Sequence, residues 1–155
     1  MLERKIQKSI SNWIKNSHKA LLIDGARQVG KTYLIEKFGM NEYKSFIEIN
    51  FVKHKEYKDI FAGELSKEEI LKRLSSQIQG IKIIPGETLL FLDEIQKCGA
   101  ARTAIKFLAE DNDIDVIASG SLLGLAYWQD DDKEVEEPDS IPVGYEDSIT
   151  MYSLD

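Results

Sequence analysis

Apolar positions along this chain alternate between two rhythms, steps of three and four residues and short unbroken runs, which predicts helices interleaved with buried strands. Leu2, Ile6, Ile10, Trp13 and Ile14 recur at helical spacing and predict an amphipathic helix over 2–16, with a basic outer face, inside an N-terminal segment 1–19. Ala20–Ile23 is a short apolar strand feeding into Asp24-Gly25. Leu34, Ile35 and Phe38 then mark a helix over Lys31–Phe38, with Gly39 as its stop. A second strand runs over Lys44–Phe51, ending near polar Asn50, and a short helix over His54–Phe61 turns Tyr57, Ile60 and Phe61 inward and leaves His54 exposed. Ser66 with Glu69 forms a capping box ahead of Ile70, Leu71, Leu74 and Ile78, and that helix stops at Gly80. After the Pro85-Gly86 turn, Leu89–Leu92 is four consecutive large apolar residues, a strand covered on both faces. A helix face of Ala101, Ala104, Ile105 and Leu108, a turn at Asp111–Asp113, a strand over Ile114–Ala118, a short helix over Leu122–Trp128 and a last strand over Ile149–Leu154 complete the pattern. Strands separated by helices belong to an α/β fold with a parallel sheet.

Between the first strand and the first helix after it lies Gly25-Ala26-Arg27-Gln28-Val29-Gly30-Lys31-Thr32, which matches G-x-x-x-x-G-K-[ST]. Glycine at both ends lets the backbone curl so that successive N–H groups form a concave nest for phosphate oxygens. Lys31 supplies a cation for the β- and γ-phosphates, Thr32 a hydroxyl for Mg²⁺, and the helix that starts there turns its positive end to the same anion. Residues 25–32 and the adjoining Tyr33 are therefore the candidate nucleotide-binding set, and Lys31 also joins the candidate catalytic residues.

Asp93 and Glu94 follow the buried strand at its C-terminal end, the edge at which parallel sheets bind ligands. Asp93 is the candidate metal residue together with Thr32, and Glu94 the candidate general base that polarises water. Ser119, at the end of the next strand, is a candidate catalytic sensor of the γ-phosphate or the lytic water; Ser121 is either a second sensor or the cap of the following helix. The acidic pair, and the lack of an Asn-Lys-x-Asp sequence, favour ATP over GTP.

At 155 residues and 43 % hydrophobic content the chain has the size and make-up of one soluble domain. Its apolar runs are too short to span a membrane, which with one cysteine, Cys98, indicates a cytoplasmic protein and a passive thiol at a helix entrance. The net charge of −7 is uneven: residues 1–40 carry a balance of +5, whereas residues 128–155 carry ten acids against Lys133. The acidic stretch 129–147, with Pro138 and Pro142, predicts a loop, and the overall acidity argues against broad nucleic-acid binding.

Taken together, Gly-Ala-Arg-Gln-Val-Gly-Lys-Thr at 25–32, Leu-Phe-Leu-Asp-Glu-Ile-Gln at 90–96 and Ala-Ser-Gly-Ser-Leu-Leu at 118–123 resemble a prokaryotic family of AAA-superfamily ATPases whose members carry a C-terminal domain of unknown function. Arg27-Gln28 and Ile95-Gln96 are the residues that set this family apart from other phosphate-loop proteins. The resemblance implies a P-loop NTPase three-layer sandwich, a five-stranded parallel sheet in the order 5-1-4-3-2, with ATP and Mg²⁺ as ligands. It also implies a homo-oligomer in the full-length protein. Where the family often shows a Gly-Arg that acts as a trans arginine finger, this chain has Gly144-Tyr145, and no arginine follows Arg102. The lid and C-terminal domain are missing too, so the expectation is the N-terminal ATPase module of a longer protein, hydrolysing ATP slowly if at all. A nucleotide-dependent switch acting through the missing region on DNA or a protein partner is the alternative; a small-molecule kinase on the same fold ranks third.

Overall fold

The apolar tetrad Leu89–Leu92 lies at the middle of the molecule. In the computed structural model, which describes residues 8, 10, 12, 20–25, 30–64, 66–120 and 146–151, it belongs to a strand over Thr88–Asp93 in which every residue is buried. The strands are β1 (Ala20–Gly25), β2 (Ser45–Asn50), β3 (Thr88–Asp93), β4 (Asp115–Gly120) and β5 (Glu146–Met151), and the helices are α1 (Lys31–Glu42), α2 (Lys67–Gln77) and α3 (Gly99–Leu108). The first four strands stand in the order 1-4-3-2, as expected, and all pairings are parallel. β5 pairs with β1 on its other side, from Ala20 opposite Glu146 to Gly25 opposite Met151.

Two apolar layers cover the two faces of the sheet. On one, Leu22, Ile49, Leu90, Leu92, Val116 and Ala118 pack with Ile70 and Leu74 of α2 and with Ala101, Ala104, Ile105 and Leu108 of α3. On the other, Leu21, Ile23, Leu89, Phe91 and Ile117 pack with Leu34 and Ile35 of α1 and with Ile10. Alternate residues of one strand serve opposite layers, which is why β3 reads as an unbroken apolar run; each such side chain contributes roughly 1.5–3 kcal/mol on burial. Among the described residues no helix is long and apolar enough to cross a membrane.

Strand register decides which polar residues meet. Asn50 of β2 lies opposite Asp93 of β3, and Asp93 lies opposite Ser119 of β4, so one row of residues crosses three strands at their C-terminal ends. Ser119 in turn faces Ile23 of β1, and Gly120 faces Asp24.

Several elements depart from what the apolar pattern predicts. Gly39 does not stop α1: the helix runs on to Glu42, and Gly39 is buried within it because a side chain there would collide with the Phe46 ring. Ser119 and Gly120 belong to β4, which starts at Asp115 rather than Ile114. β5 is described over Glu146–Met151, so residues 146 and 147 are strand and not acidic loop, and residues 152–155 lie outside the described residues. A strand recruited by the main chain of β1 need not advertise itself by apolar alternation. His54 is half-buried rather than exposed; its Nδ1 accepts from the Asn50 N–H at 3.5 Å and its ring packs on Tyr57. Ser66 caps α2, its side chain accepting from the Glu69 N–H at 3.2 Å, while the Glu69 carboxylate lies 3.6 Å from Arg73 Nη1. Residues 8, 10 and 12 are helical, with Ile10 buried between exposed Lys8 and Asn12; the rest of the 1–19 segment, the 122–128 helix and residues 129–145 lie outside the described residues.

Helix propensity and packing make opposite predictions for Gly39→Ala. Propensity favours alanine by about 1 kcal/mol, whereas overpacking against Phe46, itself stacked on Phe91, costs about 1–3 kcal/mol. Packing wins because the ring is held from both sides, so urea unfolding shows a lower midpoint for the variant; an increase would mean that the ring yields.

Candidate active site

Asp93 reaches the C-terminal edge of β3 with only 3 % of its surface exposed. A buried carboxylate must be supplied with donors, and here they come from four elements. The Thr32 hydroxyl, in the first turn of α1, donates to Oδ2 at 2.9 Å. The Ser119 hydroxyl of β4, itself fully buried, donates to Oδ1 at 2.9 Å. The Glu94 N–H also donates to Oδ1, at 2.8 Å, and the Asn50 side-chain amide of β2 to Oδ2 at 3.4 Å. Asn50 is fixed by its own turn, its Oδ1 accepting from the N–H groups of Val52 and Lys53 at 2.9 and 3.0 Å.

Thr32 reaches this row from the first turn of α1, which opens on a left-handed residue. Gly30 caps the helix at φ 77°, a left-handed conformation that costs glycine little. Lys31 follows at 3 % exposure, its Nζ donating to the Gly120 carbonyl at 2.9 Å. Gly25 is the last residue of β1, and Tyr33 projects outward at 64 % exposure. Ala26, Arg27, Gln28 and Val29 lie outside the described residues, as does Ser121.

Glu94 adopts the left-handed region without being a glycine, at φ 57° and ψ 46°. Such a conformation costs about 1–3 kcal/mol and persists only where its surroundings enforce it. Its own N–H is tied to Asp93, and its carbonyl accepts from Lys97 N–H at 3.0 Å as the chain enters the short 3-10 turn Ile95–Lys97, anchored by buried Ile95. The side chain then lies where Gln96 Nε2 donates to Glu94 Oε1 at 2.8 Å.

The structure thus brings Lys31, Thr32, Asp93, Glu94 and Ser119 to one edge of the sheet. A threonine hydroxyl that gives its proton to Asp93 keeps its lone pairs for a cation, so the donor set suits Mg²⁺. Among the described residues no group of three His, Cys, Asp or Glu side chains makes a protein-only metal cage, and Mg²⁺ characteristically relies on one or two protein oxygens plus water and phosphate. In the sequence Asn50 reads only as the polar end of a strand, and Glu48 gives no signal. A parallel register does align strand ends, so a polar residue ending the strand beside β3 is the one available hint for Asn50. Cys98 is buried in the apolar layer, which pushes its thiol pKa up and makes it a poor nucleophile.

Comparison with known proteins agrees with this geometry. A family profile described as an AAA domain matches residues 17–154. Among solved structures, a Walker-type ATPase of Pyrococcus abyssi is similar in fold, with TM-score 0.54 at 16 % identity; the match covers 99 % of this chain and 53 % of that one, so the chain spans about half its length. No curated protein matches.

Glu48 supplies a pH test. Burial, then its hydrogen bond to Glu36, then the charges of Glu36 and Asp93, raise its carboxyl pKa to about 8 against the opposing pull of Lys53. A carboxyl raised on folding favours the folded state at low pH, and that contribution is lost as pH climbs from about 4.5 to about 8. Glu48→Gln, which is neutral throughout, should flatten this decline when unfolding is followed at several pH values; an unchanged slope would place the two carboxylates apart.

Proposed function

We propose that this chain, which belongs to the AAA domain family, is an ATP-binding and ATP-hydrolysing module of a single domain, with Mg²⁺ as its cofactor. The observation that carries this reading is the 2.9 Å hydrogen bond from Thr32, beside the phosphate loop, to Asp93, 61 residues away on another strand. Two distant sequence motifs meet there in one polar cluster, at the sheet edge where charge on a phosphate would be met.

In this reading residues 25–32 cradle the phosphates with main-chain N–H groups, and Lys31 exchanges the Gly120 carbonyl for phosphate oxygen. Thr32 and Asp93 are the residues that would hold Mg²⁺, which when bound would supply positive charge against the phosphates. Glu94 takes a proton from the attacking water, and its neighbour Asp93 keeps the carboxylate pair at fixed spacing through the Glu94 N–H. Ser119, wholly buried with its hydroxyl donating to Asp93, steadies the metal residue and is a less direct sensor than its place at the strand end suggests. Breaking the γ-phosphate bond releases phosphate and leaves ADP.

Lys31→Ala should abolish ATP binding measured by calorimetry, while unaltered affinity would contradict the role given to the ammonium. Glu94→Gln should retain ATP binding and lower phosphate release by about 10²–10⁴-fold, the usual worth of a general base. Equal release from wild type and Glu94→Gln would show a nucleotide-binding site without base-assisted hydrolysis.

A further inference from the structure

Gln96 has no part in the hydrolysis proposed for this site, yet it touches the base. It stands two residues after Glu94, in the turn that follows β3, and its amide is divided between two neighbours. Nε2 donates to Glu94 Oε1 at 2.8 Å. Oε1 is buried, accepts no hydrogen bond among the described residues, and lies over Gly120, where any side chain would have to stand. The carboxylate fixes this orientation, because only the NH₂ end of the amide has protons to offer it. An apolar residue at position 96 would avoid the orphaned acceptor, so stability alone does not favour glutamine here.

We propose, building on the ATPase reading, that Gln96 is a positioning residue for Glu94, and that Gly120 is the residue whose missing side chain makes room for it. Glu94 sits on a strained main chain, which places its backbone and leaves its side-chain torsions to be set by what the carboxylate touches. The Gln96 amide holds one carboxylate oxygen from behind and so sets the direction in which the other faces. Gly120 serves from both sides: its carbonyl receives Lys31 Nζ, and its bare Cα lets the amide close on the strand end. Alanine at 120 would meet the far end of a flexible side chain, so the chain still folds and the amide turns aside; Ile95 Cγ2, 3.2 Å from the new Cβ, needs to give only slightly.

The test combines steady-state ATP hydrolysis, calorimetry and thermal unfolding on Gln96→Leu, Gln96→Ala, Gly120→Ala and the double variant that joins Gln96→Ala to Gly120→Ala. Misplacing a catalytic group by about 1 Å costs roughly 100-fold, so Gln96→Leu should lower kcat by about 10–100-fold, with KM and ATP affinity kept and the unfolding temperature not reduced. A side chain that merely filled space would be replaced by leucine without loss of kcat, and that result overturns the proposal. Gly120→Ala should lower kcat similarly in the wild-type background and add little once Gln96→Ala is present, because both changes remove the same contact; additive losses overturn it as well. Side-chain amide hydrogen exchange by NMR examines the contact without turnover. Protected Gln96 NH₂ protons that exchange faster in Glu94→Ala support the proposal, and unprotected protons in the wild type defeat it. A wild type that keeps this protection yet neither binds nor hydrolyses ATP would instead defeat the ATPase reading alone.

Discussion

A carboxylate with 3 % exposure has to be surrounded by donors, and the Asp93 cluster is built around that requirement. Its partners come from α1, β2, β4 and the peptide bond that follows it. Hydrogen bonds to a charged group are worth about 1.5–3 kcal/mol each, and leaving such a charge unpaired costs more. The cluster therefore works as a lock between elements far apart in sequence. Thr32 joins the start of α1 to β3, Ser119 joins β4 to it, and Asn50 does the same for β2.

The parallel sheet makes this convergence easy. With parallel neighbours in register, C-terminal strand ends fall in one row, and the loops leaving them are free of the ladder. Apolar layers on both faces hold β3 and β4, and with them the spacing of the polar residues at their ends. Two of the left-handed residues, Gly30 and Glu94, belong to this edge, and the second is a residue for which that conformation is costly.

Much of this is legible in the sequence. The tetrad Leu89–Leu92 announces a strand buried on both faces, and the two motifs announce Thr32 and Asp93 as partners. Gly39 misleads because glycine near the end of an apolar pattern signals a stop, whereas here it is needed for close approach to Phe46, a contact that sequence cannot display. β5 starts earlier than its apolar pattern suggests because pairing with β1 depends on main-chain groups, which every residue carries alike. Asn50, Glu48 and the fit of Gln96 over Gly120 depend on register and on side chains brought together across strands. No local periodicity encodes those relations.

In the proposed function Thr32 and Asp93 form a shared cation site beside the phosphates. Calorimetric titration of ATP with and without Mg²⁺, in wild type and in Asp93→Asn, tests it directly. Mg²⁺ should strengthen ATP binding in the wild type, and this enhancement should be largely lost in the variant, while affinity for metal-free ATP is retained. An enhancement of the same size in both proteins would contradict it.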